Sequence, residues 1–238
     1  MNKTTLLLII TILLTAVSSS CAQSRVAKDQ FEVDNFTSIK SSVVANINIS
    51  QSSQTTVVAE GDENLLDILE VRMDNNRLIL TMEERQAKRF NKKASKLTIT
   101  ISTPTLTHID SEGVGNIQFV GTFDTPELII NSEGVGNIRA DNLQAGFVKA
   151  ESEGVGNITL IGKADEVEIN SEGVGNIDVS ELISLRAKVE SEGVGNVRCH
   201  ATEFLKAKSE GIGNITYYGN PKQTDLSKEG IGKIKAGK

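Results

Sequence analysis

The segment Ser111-Glu-Gly-Val-Gly-Asn-Ile117 returns down the rest of the chain almost unchanged, and this recurrence constrains the fold more than any other feature. Copies begin at Ser132, Ser152, Ser171 and Ser191. A sixth, with Ile for Val, begins at Ser209, and a degraded seventh reads Lys228-Glu-Gly-Ile-Gly-Lys-Ile234. The repeated Glu recurs at spacings of 21, 20, 19, 20, 18 and 19 residues. A period near twenty is the mark of a solenoid, because one such unit cannot bury its own apolar face and must stack on its neighbours. Helical repeat units need roughly 33 residues or more, so the coils are not helical hairpins.

Apolar residues alternate on both sides of each motif. Leu128 and Ile130, Val148 and Ala150, and Val167 and Ile169 precede it; Ile117 and Phe119, Ile138 and Ala140, and Ile158 and Leu160 follow it. Period two means strand. The chain is therefore expected to be all-β, a parallel β-helix-like solenoid of about seven coils of roughly twenty residues, opened by irregular β coils. Gly121–Pro126, Gly162–Asp165 and Gly219–Pro221 carry turn-forming residues between the strands.

The motif itself reads as a corner, with glycines on both sides of the Val permitting a sharp bend. Val114 and its counterparts stay apolar in every copy, which predicts an inward core ladder; strict alternation through the glycines would instead turn them outward. The Asn column is expected to stack as an amide ladder. Lys228, Lys233, Lys235 and Lys238 crowd the last copy and read as a cap that discourages pairing at an open strand edge.

Residues 28–110 are less regular. Val43–Ile49, Thr55–Val58 and Leu97–Ile101 are strands by alternation and β-branching, Asp74–Asn76 is a hairpin turn, and Asn64–Leu69 a short helix. No linker separates them from the repeats, so 23–238 is expected to be a single domain, with regular repeats over 111–238.

Lys3 followed by the apolar run Leu6–Val17 reads as an export signal over 1–22, too short for a permanent anchor. Ser18-Ser-Ser-Cys21 loosely fits a lipobox, making Cys21 a candidate for lipidation and for a membrane anchor; Ser20-Cys-Ala22 equally fits ordinary cleavage before Gln23. Losing Lys3 with the leader takes the formal net charge from −6 to −7, which argues against nucleic acid as a partner. Cys199 would then be the only thiol, at an inward strand position.

The run from Thr98 through Thr-Ile-Ser-Thr-Pro104 and Leu106 to Ser111-Glu-Gly-Val-Gly-Asn-Ile117 resembles the head GIN domain family, also called the auto-transporter adhesins. Members typically carry small-Gly-Ser-Gly-Asp/Asn-Ile at similar spacing; Val between the glycines, and copies this faithful, depart from that pattern. The likeness covers about residues 28–238. It implies a β-helix-like fold and an exported address: outer-membrane lipoprotein, periplasm or cell surface. It carries over no catalytic residues.

Candidate chemistry is sparse. Gly113-Val-Gly115 lacks the Gly-Lys-Ser/Thr of a phosphate loop. His108 and His200, the only histidines, have no second ligand at metal spacing and read as surface strand residues. The sequon matches at Asn157 and Asn214 are by-products of the repeat. The Glu column, with Glu133, Glu153, Glu172 and Glu192 at its centre, is the candidate ligand-binding surface. It reads as a solvated acidic stripe, with Lys149, Lys188, Lys206 and Lys208 nearby, or as a row taking divalent cations, a basic protein or a cation-bridged envelope polysaccharide. Arg85–Lys96, with six cations and no acid, is a solvated loop or a contact for anionic lipid or glycan. Aromatic residues are only 4% and Trp is absent, which leaves few flat platforms for sugar rings. A β-helix enzyme acting on polysaccharide would gather carboxylates on one or two coils. Even repetition favours a non-enzymatic envelope protein that presents a regular surface for binding or adhesion. A structural or signalling role in envelope maintenance is the alternative.

Overall fold

The computed structural model describes residues 26–82 and 96–238. The export signal, Cys21 and the basic run from Arg85 to Lys93 lie outside the described residues. Of the described residues, 66% are strand and 2% helix, wound as a β-solenoid of about six turns. The seven motif copies bound six turns between them.

Parallel pairing sets each coil on the last with the motifs in register. Ser111 sits beside Ser132, then Ser152, Ser171, Ser191 and Ser209. Two ladders fill the core. Ile109, Ile130, Ala150, Ile169, Val189 and Ala207 stack before the corner; Ile117, Ile138, Ile158, Ile177, Val197 and Ile215 stack after it, all of them buried. Phe119 and Phe123 meet edge to face at 5.1 Å in the first coil. Cys199, on the strand Val197–His200, is buried among them, as its alternation predicted.

The corner corrects one expectation. Val114, Val135, Val155, Val174, Val194 and Ile212 point outward, 49–54% exposed, and Ile231 is 72% exposed. Alternation runs straight through the glycines, and the reason is steric. A Cβ on Gly134 would fall 2.2 Å from the carbonyl oxygen of Gly113, and one on Gly175 would fall 1.7 Å from that of Gly156. Successive coils touch backbone to backbone inside the bend, which leaves room for no inward side chain. The residue between the glycines must therefore face water.

The turn-forming stretches are also more regular than their composition suggests. Most of Gly121–Pro126 and all of Gly162–Asp165 belong to the strands Phe123–Ser132 and Ile158–Ser171, which add a third face to each coil. Gly219–Pro221 does remain outside the strands, with Asn220 at φ 51°.

The opening segment holds a coil out of chain order. Leu97–Thr103 does not stack on the first repeat. Ser38–Ser42 and Asn46–Gln51 lie between, pairing on one side with Arg77–Met82 and Leu97–Thr103 and on the other with His108–Ser111 and Ile117–Val120. Val44 bridges to Val114 and starts the outward Val row. Thr56–Asp62 and Val26–Phe31 then add antiparallel strands beyond Leu97–Thr103, and Leu69–Asp74 does so beyond Arg77–Met82. Asn75, at φ 53°, makes the expected hairpin turn. The helix is shorter than Asn64–Leu69: it spans Glu63–Leu66, where the Asp62 side chain accepts from the Asn64 amide at 3.0 Å, and Leu69 already belongs to a strand. One continuous set of buried apolar residues runs from Phe36 to Ile215. At the far end the strand Gln223–Lys228 is exposed along its length, and Lys228, Lys233, Lys235 and Lys238 are exposed on that coil.

Candidate functional site

Because the corner alternates through its whole length, three residues of each motif project to the same side. The outer surface of the bend thus carries three parallel rows: Glu, Val and Asn. Within a row, neighbours repeat at one strand spacing, ~4.8 Å.

Glu133, Glu153, Glu172 and Glu192 stand exposed in one row, as expected. The row members flanking these four are paired with cations. Glu112 meets Lys40 Nζ at 2.6 Å and accepts from Ser42 Oγ at 2.8 Å; the Lys40 hydrogen bond and then that of Ser42 hold its carboxyl below the ordinary range. Glu210 meets Lys208 at 2.9 Å. Lys149 and Lys188 do not serve the row: Lys149 pairs with Glu151 at 2.7 Å, and Lys188 reaches Glu168 and Glu190. Among the described residues, no cluster of three or more His, Cys, Asp or Glu is placed to hold a metal ion.

The Asn row is the amide ladder that the sequence suggested, and it is longer than the repeats. Asn137 donates from its backbone N and its Nδ2 to Asn116 Oδ1, both at 3.0 Å. The same pair of bonds recurs at Asn157, Asn176, Asn196 and Asn214. It begins one coil earlier, where Asn116 bonds Asn46, and it ends where the Lys233 amide bonds Asn214 Oδ1 at 3.1 Å. Sequence reading missed this coil. Its signal was present: Ser41-Ser-Val-Val-Ala-Asn-Ile47 keeps the motif's Ser, Val, Asn and Ile and lacks its glycines and Glu.

His108 bonds Asp110 at 2.8 Å on the face before the corner, with Asn131 donating to the same carboxylate at 2.9 Å and Arg77 3.5 Å away. Burial, the largest influence on Asp110, pushes its carboxyl up, but the Asn131 and His108 bonds with the nearby charges hold it below the ordinary value. His200 lies on another strand, its pKa lowered by burial, with Ser184 Oγ donating to its carbonyl. Burial pushes the Cys199 thiol up to about 12, so it is a packed core residue and not a nucleophile. An open groove of about 740 Å³ on the third face was not read from the sequence. Gly146, Ala145 and Ala164 are among its lining residues, with Asp124, Lys163 and Leu185. The small residues were its only signal.

A stacked β-solenoid with a repetitive outer surface is the class that this fold and these rows define. The family model described as "Putative auto-transporter adhesin, head GIN domain" matches residues 35–221, and the chain belongs to that family. Among solved structures, it is similar to a putative adhesin from Bacteroides fragilis NCTC 9343, at 33% identity and a TM-score of 0.86, over 90% of this chain and 98% of that one. A putative lipid binding protein from Parabacteroides distasonis ATCC 8503 shares the fold at 21% identity and a TM-score of 0.71, covering 90% of this chain and 97% of that one. A putative adhesin from the same organism does so at 23% identity and a TM-score of 0.66, over 90% and 98%. No curated protein matches the chain.

Proposed function

We propose that this protein is a non-enzymatic, exported β-solenoid of the cell envelope that works by adhesion, with the outer surface of the corner as its contact surface. The observation that carries the reading is the Glu–Val–Asn strip. Each full coil repeats the same three outward residues, and the middle one is apolar although it faces water. Catalysis needs a local group that differs from its neighbours, whereas a long uniform strip suits contact along an extended partner. Likeness to proteins described as adhesins supports the same reading.

The test compares saturable binding of the chain from Ser24 onward to immobilised envelope material with that of two variants. One carries Asp at Val135, Val155, Val174 and Val194; the other carries Gln at Glu133, Glu153, Glu172 and Glu192. Binding should fall about tenfold or more in the Val series if the strip is the contact surface. Binding that is unchanged in both, with the fold intact by circular dichroism, would remove the strip from the function. A separate check addresses export: Cys21→Ser should release the protein from membranes if that thiol carries lipid, whereas a mature terminus at Gln23 would show ordinary cleavage.

A further inference from the structure

We propose that the corner strip binds a second copy of this chain, side by side and parallel, about a two-fold axis that runs along the solenoid. The inference rests on the reading of the strip as the contact surface and names its partner. Eight apolar side chains, from Val44 to Ile231, form an unbroken outward line that half-faces water or more. Exposed apolar rows of this extent mark contact surfaces. What covers this one is set by the two rows that flank it.

On one side run the carboxylates, from Glu112 to Glu229, which accept hydrogen bonds and donate none. On the other run the Asn amides. Each Oδ1 from Asn46 to Asn196 already accepts two bonds, from the N and the Nδ2 of the next Asn. Each Nδ2 has two hydrogens and places one of them within the ladder. The Asn row is thus saturated as an acceptor and keeps a free N–H on each coil.

Acceptors on one side of an apolar line and donors on the other make a pattern that complements itself. Two isologous arrangements bring the lines face to face. With the two-fold axis along the line, the donors of one copy face the acceptors of the other at equal height. With the axis across the line, Glu faces Glu, and like charges oppose the contact. The terminal coil strengthens the choice. Lys233 stands in the Asn row and Glu229 in the Glu row, so the parallel arrangement pairs these opposite charges twice and the antiparallel one not at all. The strip is ~34 Å long and ~13 Å wide, from seven strand spacings and four residues of extended chain. That projects to roughly 440 Å² against the ~800 Å² per partner of a standard interface, so the dimer is weak and concentration-dependent.

Single cysteines test both the contact and its direction. Val114→Cys, Val155→Cys and Ile212→Cys are made one at a time in the chain from Ser24 onward, which holds the whole buried core and in which Cys199 is buried. Under mild oxidation each variant should form a disulfide-linked homodimer, end positions included. A mixture of Val114→Cys with Ile212→Cys should give no cross-product. Sedimentation velocity of the unmodified chain should show mass rising with concentration, and Asp at Val135, Val155, Val174 and Val194 should shift that rise about tenfold or more upward. A monomer at every concentration, without cross-links, overturns the proposal. A Val114–Ile212 cross-product overturns the parallel direction. A monomer whose strip still binds envelope material sinks the homotypic partner and leaves the adhesive reading standing; a dimer indifferent to envelope material does the reverse.

Discussion

Gly175 and Val174 sit side by side in the sequence and meet opposite demands. The glycine faces the backbone of the coil beneath it, where a methyl group would overlap the Gly156 carbonyl oxygen at 1.7 Å; the valine faces water. Gly175→Ala should therefore cost about 3 kcal/mol or more, because backbone and not a flexible side chain must yield. Val174→Thr should stay within about 0.5 kcal/mol, as an exposed substitution does. Urea melts of the two variants decide the matter; a Val174→Thr cost of several kcal/mol would restore an inward valine. The alternation that turns Val174 outward was written in the sequence. What argued against it was the persistence of an apolar residue, which burial explains in most proteins and which the proposed contact between molecules would explain here. Cys199 was fully legible, since its inward place follows from counting by two from Val197.

Whole elements were legible where pairing is local in the repeat and illegible where it is not. Six faithful motifs and a degraded seventh fix the stacking of 111–238, because each coil pairs with the next at a spacing near twenty residues. The coil at 38–51 pairs with residues some seventy positions later, and no local pattern states that it enters between Leu97–Thr103 and the first repeat. Its place makes Ile47 a full member of the core ladder. Ile47→Ala should cost ~2–5 kcal/mol, as for a buried Ile, and Ile234→Ala on the exposed terminal coil distinctly less. Equal costs would mean that 38–51 is a peripheral strand. The same coil brings Lys40 to Glu112, and Arg77, on the strand paired with that coil, lies 3.5 Å from Asp110; both carboxyls are held low. Lowered carboxyl values add stability above the ordinary values of 3.8 and 4.5, and that stability is lost as pH falls through the shifted ones. Asp110→Asn should reduce stability at neutral pH and flatten the loss below about pH 4. An unchanged acid slope would place the acid sensitivity elsewhere.

At the scale of the molecule, the solenoid sets seven carboxylates at one strand spacing on a single edge. Each adjacent pair repels by ~0.9 kcal/mol in water at full ionisation, less when side chains splay or salt screens them. Lys40 and Lys208 relieve the row at Glu112 and Glu210, whereas among the described residues no cation lies within ion-pair distance of Glu133, Glu153 or Glu172. The fold tolerates this strain because the coils before the exposed terminal one are held by two buried ladders and by parallel backbone bonds to their neighbours. Removing the charge should therefore stabilise the protein. Gln at Glu133, Glu153, Glu172 and Glu192 keeps shape and polarity and should raise stability by ~1–2 kcal/mol in low salt, with the gain shrinking as sodium chloride is added. Calcium separates screening from coordination. It takes six to eight oxygens, and two exposed carboxylates on neighbouring coils supply too few to close a shell. At matched ionic strength, millimolar calcium should shift the wild-type melt no further than sodium does. A calcium-specific rise that vanishes in the Gln variant would make the row a cation site, since selective binding to the native state at a hundredfold over Kd adds ~2.7 kcal/mol. A variant no more stable than the parent at any salt would mean that the carboxylates already lie apart, and that the row holds no electrostatic strain for a partner to relieve.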